Sequence, residues 1–359
     1  MIIKHTLLVL TATLMVVVVS SFTLTPSASV TKEKLSEYGF FVGKLNDLKP
    51  AEGVLPYSLT TPLFSDYTQK SRFVIIPKGK TITYNATETF DFPVGTVIIK
   101  NFYYNNNDAK LSEGKNIMET RLLIRNENGW EALPYFWNEE QTEATLEVAG
   151  GERNVTWKDI KGKKQTYHYS SPNSNQCKGC HNRNEVLLPI GPSARQLNGE
   201  LAYSDGTTSN QLLKWKELGI LTNLPADMAT VPKLANWQDN TASLNDRARA
   251  YLDINCAHCH RKEGPASTSG FYLLYNETNA TTWGMYKTPV AAGKGSGGRL
   301  FDIVPGNANA SIITYRMEST DPGEMMPELG RYFIHKEGAQ LIKDWINAMN
   351  PKDFEEYKK

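Results

Sequence analysis

The stretch Cys256-Ala257-His258-Cys259-His260 has the pattern C-x-x-C-H, two cysteines two residues apart followed at once by a histidine. A second copy lies upstream, at Cys177-Lys178-Gly179-Cys180-His181. Together the two copies contain all 4 cysteines of the chain, so no thiol is left for another kind of cysteine chemistry. The rest of the sequence is therefore interpreted around these two motifs.

The spacing of the motif suits covalent attachment of a c-type haem. Two thiols three residues apart lie on one side of a helical turn, where each can bond one vinyl group of the same porphyrin. The histidine that follows then directs its imidazole at the iron as the proximal ligand. We predict two such haems, held by Cys177, Cys180 and His181, and by Cys256, Cys259 and His260.

Zinc and disulfides are the alternative explanations for the cysteines. A zinc site could combine two cysteine pairs with histidine, and four cysteines in an exported protein could form disulfides. Neither alternative explains why a histidine directly follows each pair. We therefore prefer the haem interpretation.

The amino terminus has the three parts of a secretory signal peptide. Lys4 and His5 precede an apolar run over residues 7–19, and small and polar residues follow up to Ser29. The run is short for a transmembrane helix, which needs about 20 apolar residues. We predict a signal peptide over residues 1–29 and an exported, periplasmic protein with no stable membrane span after cleavage, an uncleaved anchor being the alternative. Export agrees with the haem prediction, because bacteria attach c-type haem outside the cytoplasm.

Length and charge limit the remaining possibilities. The chain has 359 residues, enough for two or three domains. It has 39 Lys and Arg against 38 Asp and Glu, and it lacks the basic stripe of a nucleic-acid-binding protein. We therefore expect no nucleic acid among its partners.

Residues 31–165 are predicted to form a β-rich domain without cysteine or histidine. Its β-branched and aromatic runs are separated by Gly, Pro and Asn turns, and Asn128-Gly129 is typical of a tight hairpin. The pattern favours an antiparallel sandwich or barrel-like sheet. The predicted strands are Arg72–Ile76, Thr81–Tyr84, Thr96–Tyr104, Glu119–Arg125 and Thr145–Val148.

Two further regions follow, each with one motif. Residues 166–240 form the first haem-attachment region. A polar segment over residues 165–175 leads into its motif, and we interpret that segment as a linker. Residues 241–350 begin with a helix capped by Ser243 that leads into Cys256, and they end with a helix over Glu337–Met349. Residues 351–359 are a tail.

Short phrases outside the motifs carry a family resemblance. They are Tyr38–Phe41, Thr61–Tyr67, Phe92–Thr96, Trp137–Thr142, Asn175–Cys177, Pro189–Pro192, Arg249–Leu252 and Met326–Gly330. On these phrases the mature chain resembles a family of exported bacterial dihaem c-type cytochromes, and residues 241–350 resemble a class I cytochrome c domain. The resemblance implies haem binding and electron transfer.

The expected fold class is α+β multidomain, with an N-terminal mainly-β domain followed by a mainly-α, cytochrome c-like haem region. The expected function is electron transfer between redox partner proteins that bind transiently. The alternatives are a haem enzyme such as a dihaem peroxidase, with an open first haem, and a binding module in which the β-rich domain recognises a partner and the haems provide a redox output.

The distal iron ligands are less clear than the proximal ones. For the second haem we predict Met326, with Met325 as the alternative, because a methionine in a loop before the last helix suits this position. Several residues remain open for the first haem, as does a five-coordinate iron. They are His168, Met228, Met317, His258, which we expect to point to solvent, and His335, which we expect at the surface or at a helix cap.

Three arginines are candidates for pairing with the haem propionates. They are Arg195, Arg299 and Arg331.

Overall fold

The computed structural model describes residues 31–358, so the predicted signal peptide lies outside the described part of the chain. Its largest element is an antiparallel sheet of six strands in the order β1-β2-β4-β5-β6-β7. The strands are β1 (Leu55–Tyr57), β2 (Gln69–Ile75), β4 (Val97–Asn105), β5 (Lys115–Asn126), β6 (Gly129–Trp137) and β7 (Ala144–Leu146). The expected antiparallel pairing in this region is confirmed, but these six strands form an open sheet that does not close into a barrel.

Apolar residues on both faces of the sheet explain its position inside the molecule. Phe73, Ile99 and Leu122 are paired across three strands and face one core. Their neighbours Val74 and Ile98 face the opposite side and a second core. β5 and β6 meet in a tight hairpin, with Asn126 paired to Gly129. The hairpin predicted from Asn128-Gly129 is therefore present.

A separate hairpin follows the sheet, formed by β8 (Glu152–Lys158) and β9 (Lys164–Ser170). Tyr167 and Tyr169 alternate with polar residues along β9 and are buried, packing with Tyr104 and Trp157. The interpretation of residues 165–175 as a linker is therefore wrong. The period of two in this polar segment marks a half-buried strand.

The remaining strands form small sheets of two strands each. β3 (Ile82–Thr83) pairs in parallel with β14 (Leu221–Thr222) and so joins the β-rich region to the first haem-attachment region. The other pairs are β10 (Asn182–Arg183) with β11 (Val186–Leu187), and β12 (Glu200–Ala202) with β13 (Thr208–Asn210).

Six α-helices lie between Ser174 and Asn347 in the described part of the chain. They are α1 (Ser174–His181), α2 (Ala194–Leu197), α3 (Gln211–Glu217), α4 (Leu244–Asn255), α5 (Ile312–Glu318) and α6 (Lys336–Asn347). Among residues 31–358, no helix is long and apolar enough to cross a membrane.

The predicted mainly-α, cytochrome c-like haem region is wrong. The helices are only 4 to 12 residues long, strands interrupt them, and between Asn255 and Ile312 the only helical segments are single 3₁₀ turns. Glycine is frequent in this stretch, and several of its glycines adopt positive φ angles that a helix does not use. Residues 166–350 are therefore built largely from loops.

The two longest helices pack against each other. Gly338 of α6 lies against the ring of Tyr251 of α4, so closely that a Cβ atom at position 338 would lie 2.4 Å from Tyr251 Cζ. The indole N–H of Trp345 donates a hydrogen bond of 3.1 Å to Asn245. These contacts fix α4, and with it the start of the second motif.

Candidate functional site

Both C-x-x-C-H motifs open onto one cavity of about 920 Å³. All four cysteines line this cavity, as do His181 and His260. Its volume is near the upper end of the range of about 300–1,000 Å³ for small-molecule sites. The cysteines are unpaired thiols, and no group of three or more His, Cys, Asp or Glu side chains in residues 31–358 converges as metal ligands.

The first motif lies in the last turns of α1. Asn173 and Gln176 cap this helix reciprocally, since each side-chain oxygen accepts the backbone N–H of the other residue at 2.9 Å. His181 Nδ1 lies 2.8 Å from the carbonyl oxygen of Leu188. A carbonyl can only accept, so Nδ1 carries the proton and Nε2 keeps its lone pair.

The second motif follows α4, which the Ser243 side chain caps by accepting the Asp246 N–H at 3.1 Å. His260 Nδ1 lies 3.1 Å from the carbonyl oxygen of Phe271, which again leaves Nε2 as the free nitrogen. Burial lowers the pKa of His181 and of His260 to about 4, so both imidazoles are neutral at physiological pH. A neutral imidazole with Nδ1 hydrogen-bonded is the form that ligates a metal through Nε2.

This donor set fits a pair of c-type haems. Each cysteine pair lies beside one histidine of defined tautomer, and both sets face the same cavity. Cys177, Cys180, Cys256 and Cys259 would form the thioethers, and His181 and His260 would bind the irons.

The two motifs are held against each other by a shared carboxylate. Glu88, from the β-rich region, bonds Arg183 at 2.6 Å and Arg261 at 2.9 Å. The backbone N–H of Asn184 also donates to the carbonyl of Glu263 at 2.8 Å. These contacts lie within three residues of the two motif histidines, so they fix the separation of the two sites.

Met326 and Met325 line the cavity, and so does Met317 of α5. The Met326 N–H donates to the Arg316 carbonyl at 3.0 Å. The loop is organised by Arg331, which is 3 % exposed and donates to the carbonyls of Met326, Arg316, Ser319 and Phe333 at 2.9–3.2 Å. All three methionines remain compatible with a distal-ligand role.

The other distal candidates lie in different places. His168 is on the exposed side of the β8–β9 hairpin, bonded to Asn154 and Glu152, and Met228 packs at the edge of the second core; neither lines the cavity. His335 lines the cavity, but its ring stacks on Phe64, with 4.1 Å between the ring centres.

His258 does not point to solvent as expected. It lines the cavity, and its Nδ1 is buried without a hydrogen-bond partner in the described part of the chain. The reason is that residues of the first motif lie beside it, since Cys180 and His181 line a second, small cavity together with His258.

None of the three arginines proposed for the propionates is free for that role. Arg195 forms an ion pair with Asp253 at 3.0 Å, and Arg331 is occupied by backbone carbonyls. Arg299 lies over the ring of Tyr315, with its guanidinium 4.4 Å from the ring centre, and does not line the cavity.

The segment Thr61–Tyr67 has a role that the sequence did not reveal: it connects the sheet to the second motif and to the loop after the methionines. The Phe64 N–H donates to the side chain of Asn255, the residue before Cys256, at 2.8 Å. Asp66 accepts the N–H groups of Tyr332 and Phe333, both at 2.8 Å. The segment therefore fixes both the start of the second motif and the loop that follows the methionines.

Comparison with protein-family models, with curated proteins and with solved structures finds no match to this chain.

Proposed function

We propose that this protein is an exported dihaem c-type cytochrome that transfers electrons between redox partner proteins. The observation that carries the proposal is the pair of motif histidines, each with Nδ1 bonded to a carbonyl and each beside two thiols on one cavity. The resemblance of the mature chain to exported dihaem cytochromes supports the same conclusion. When bound, each haem supplies an iron that accepts and releases one electron.

The residues around the cavity have three tasks in this proposal. The cysteines anchor the porphyrins, and His181 and His260 each present Nε2 to an iron. Apolar side chains such as Ile98 and Phe271 limit the access of water, which is one way in which a protein sets a haem potential. Glu88 keeps the two attachment segments at a fixed distance, so electron exchange between the haems needs no movement of the chain.

The proposal is tested on protein matured in an exporting, haem-attaching host. Its mass should exceed that of the processed polypeptide by two haems, and its reduced spectrum should be that of c-type haem. The double variants C177A/C180A and C256A/C259A should each retain one haem, whereas His168→Gln, outside the cavity, should retain both. Wild-type protein without added porphyrin mass, or with bound zinc in place of iron, would refute the proposal.

A haem enzyme is the second candidate. The observation that favours it is that the polar side chains of Lys100 and His258 line the same cavity as His181, because polar groups beside an open iron can assist proton transfer. An enzyme of this class should show a high-spin iron signal and should turn over peroxide when reduced. If the matured protein shows neither, the candidate is excluded.

A further inference from the structure

Three basic residues form a row across the sheet, which we call the basic row: Arg72 on β2, Lys100 on β4 and Arg121 on β5. Arg72 is paired with Lys100 in the strand register, and Lys100 is paired with Arg121. The three side chains therefore stand on the same face of the sheet, and all three line the haem cavity.

Only one member of the basic row has its charge balanced by a carboxylate. Arg121 forms a two-pronged ion pair with Glu119, at 2.9 Å from Nε and 2.5 Å from Nη2. Glu119 is fully buried and is also bonded by Ser171 at 2.5 Å and by Tyr169, so its oxygens are occupied. Within residues 31–358, neither Arg72 nor Lys100 lies within salt-bridge distance of a carboxylate.

This arrangement is unfavourable without an anion. Arg72 is 7 % exposed, and one of its terminal nitrogens is buried without a hydrogen-bond partner in the described chain. Like charges directly opposite each other on a sheet repel, and a buried charge without a counter-charge is costly. Burial lowers the pKa of Arg72 and of Lys100, and the charge of Arg72 adds to the effect on Lys100. This face of the sheet is therefore adapted to a negatively charged group.

The position of the basic row relative to the first motif identifies that group. The helix α1, which carries Cys177 and Cys180, packs against β6, the strand next to β5, so the Arg121 end of the row lies nearest the thiols. Arg72 lies two strands away from Arg121, which corresponds to a backbone distance of about 10 Å. In a c-type haem the two propionates project from the edge of the ring opposite the thioether-bonded edge. The row thus runs from the cysteine side toward the side where the propionates are expected.

We propose that Arg72 and Lys100 bind the propionate carboxylates of the haem attached at Cys177 and Cys180, while Arg121 stays paired with Glu119. This inference rests on the proposed function, because the carboxylates belong to the haem. A guanidinium and an ammonium are the usual partners of such carboxylates, and Arg72 supplies a planar fork for two hydrogen bonds.

The experiment uses the matured protein, after its mass has established two bound haems. The test variants are Arg72→Gln and Lys100→Gln. The controls are Arg125→Gln on β5 and Lys164→Gln on β9, which remove a matching charge from residues that do not line the cavity. Resonance Raman spectroscopy records the propionate bending bands, and a redox titration records both midpoint potentials.

Each test variant removes one cation from the cavity and should shift the propionate bands of one haem. Because a nearby cation disfavours the more positive oxidised state, its removal should also lower the midpoint potential of that haem. The other haem and both controls should be unchanged. Arg72→Lys and Lys100→Arg, which keep the charge, should largely restore the potential and serve as folded variants if the glutamine variants do not accumulate.

Two results would overturn the inference and leave the haem proposal standing. The first is a protein with two haems whose propionate bands and potentials are the same in wild type and in both glutamine variants. The second is a spectral shift that added acetate causes in the wild-type protein but not in the glutamine variants. Such a shift would show that the basic row binds a free carboxylate rather than the propionates. Absence of haem would instead refute the proposed function.

Discussion

Arg183 and Arg261, which follow the two motif histidines, bond to the same carboxylate, that of Glu88. Arg261 is 6 % exposed, so its charge depends on this partner and on Glu263 for compensation. Removing a carboxylate from such a contact leaves a buried cation with fewer partners, which costs more than the net gain from a typical hydrogen bond. The two motifs are therefore joined through Glu88, a residue of the β-rich region that lies outside both of them.

We expect Glu88→Gln to lower the free energy of unfolding by about 1–3 kcal/mol. The measurement is guanidinium unfolding of the matured protein, followed at the haem absorbance. Glu217→Gln, in the exposed ion pair with Lys214, should change stability by less than about 0.5 kcal/mol. Equal effects of the two variants would show that Glu88 does not hold the motifs together.

Met326→Leu should abolish the methionine-to-iron charge-transfer band of the oxidised protein and lower one midpoint potential, because a thioether ligand favours reduced iron. Met325→Leu and Met317→Leu should keep the band, and Met228→Leu, outside the cavity, is the control. Loss of the band in Met325→Leu or Met317→Leu alone would assign the ligand to that residue. Optical spectra of the four variants decide between them.

Asp66→Asn should reduce the pH dependence of stability. Burial raises the pKa of Asp66, and the N–H donors of Phe333 and Tyr332 only partly offset this. The folded protein therefore holds this proton more tightly than the unfolded chain, in which the pKa is about 3.9. The resulting stabilisation is present in full below that pH and is lost as the pH rises through the folded-state pKa.

The free energy of unfolding of the wild type and of Asp66→Asn is measured at a series of pH values above about 4. It should decline less steeply with rising pH in the variant. Asp47→Asn, at an exposed position, should follow wild type. Parallel curves for all three proteins would contradict the role given to Asp66.

Residues 166–358 expressed alone should not retain two haems. Val74 and Ile98 of the sheet share a core with Leu197, Trp215 and Ile254 of the later regions, and the sheet also supplies a wall of the cavity. We expect the shortened protein to be degraded or to bind less haem per chain than the full-length protein. Retention of two haems in a folded fragment would instead support the view of the β-rich region as a separate binding module.

The sequence predicted elements whose local pattern is strong. β2, β4 and β5 are rich in β-branched residues, and α4 has a capping serine and an apolar face. The strand β9 was missed because its alternate positions are Lys164, Thr166, His168 and Ser170, which resemble a loop. The helical content of residues 166–350 was overestimated because two clear helices and the resemblance to a class I cytochrome c domain suggested a mainly-α region.

Much of the candidate site could not be predicted in this way. The motifs identify the four cysteines and the two histidines of the site by adjacency alone. Arg72, Lys100 and Arg121 are 28 and 21 residues apart along the chain, and only the strand register brings them together. Glu88 was missed for a similar reason, since its arginine partners lie 95 and 173 residues away.

The cavity is walled on one side by β4 and β5 and on the other by the loop that carries Met325 and Met326. The strands of the first wall and the loop of the second are far apart in the sequence, so an exported chain would present them at different times. If the chain is exported as proposed, both cysteine pairs emerge after the sheet but before the methionine loop, so the pocket would still be open when haem is attached to each thiol. We therefore expect a chain arrested before residue 320 to acquire its thioether bonds, and a prefolded apoprotein to acquire them slowly, which pulse labelling of haem attachment would measure.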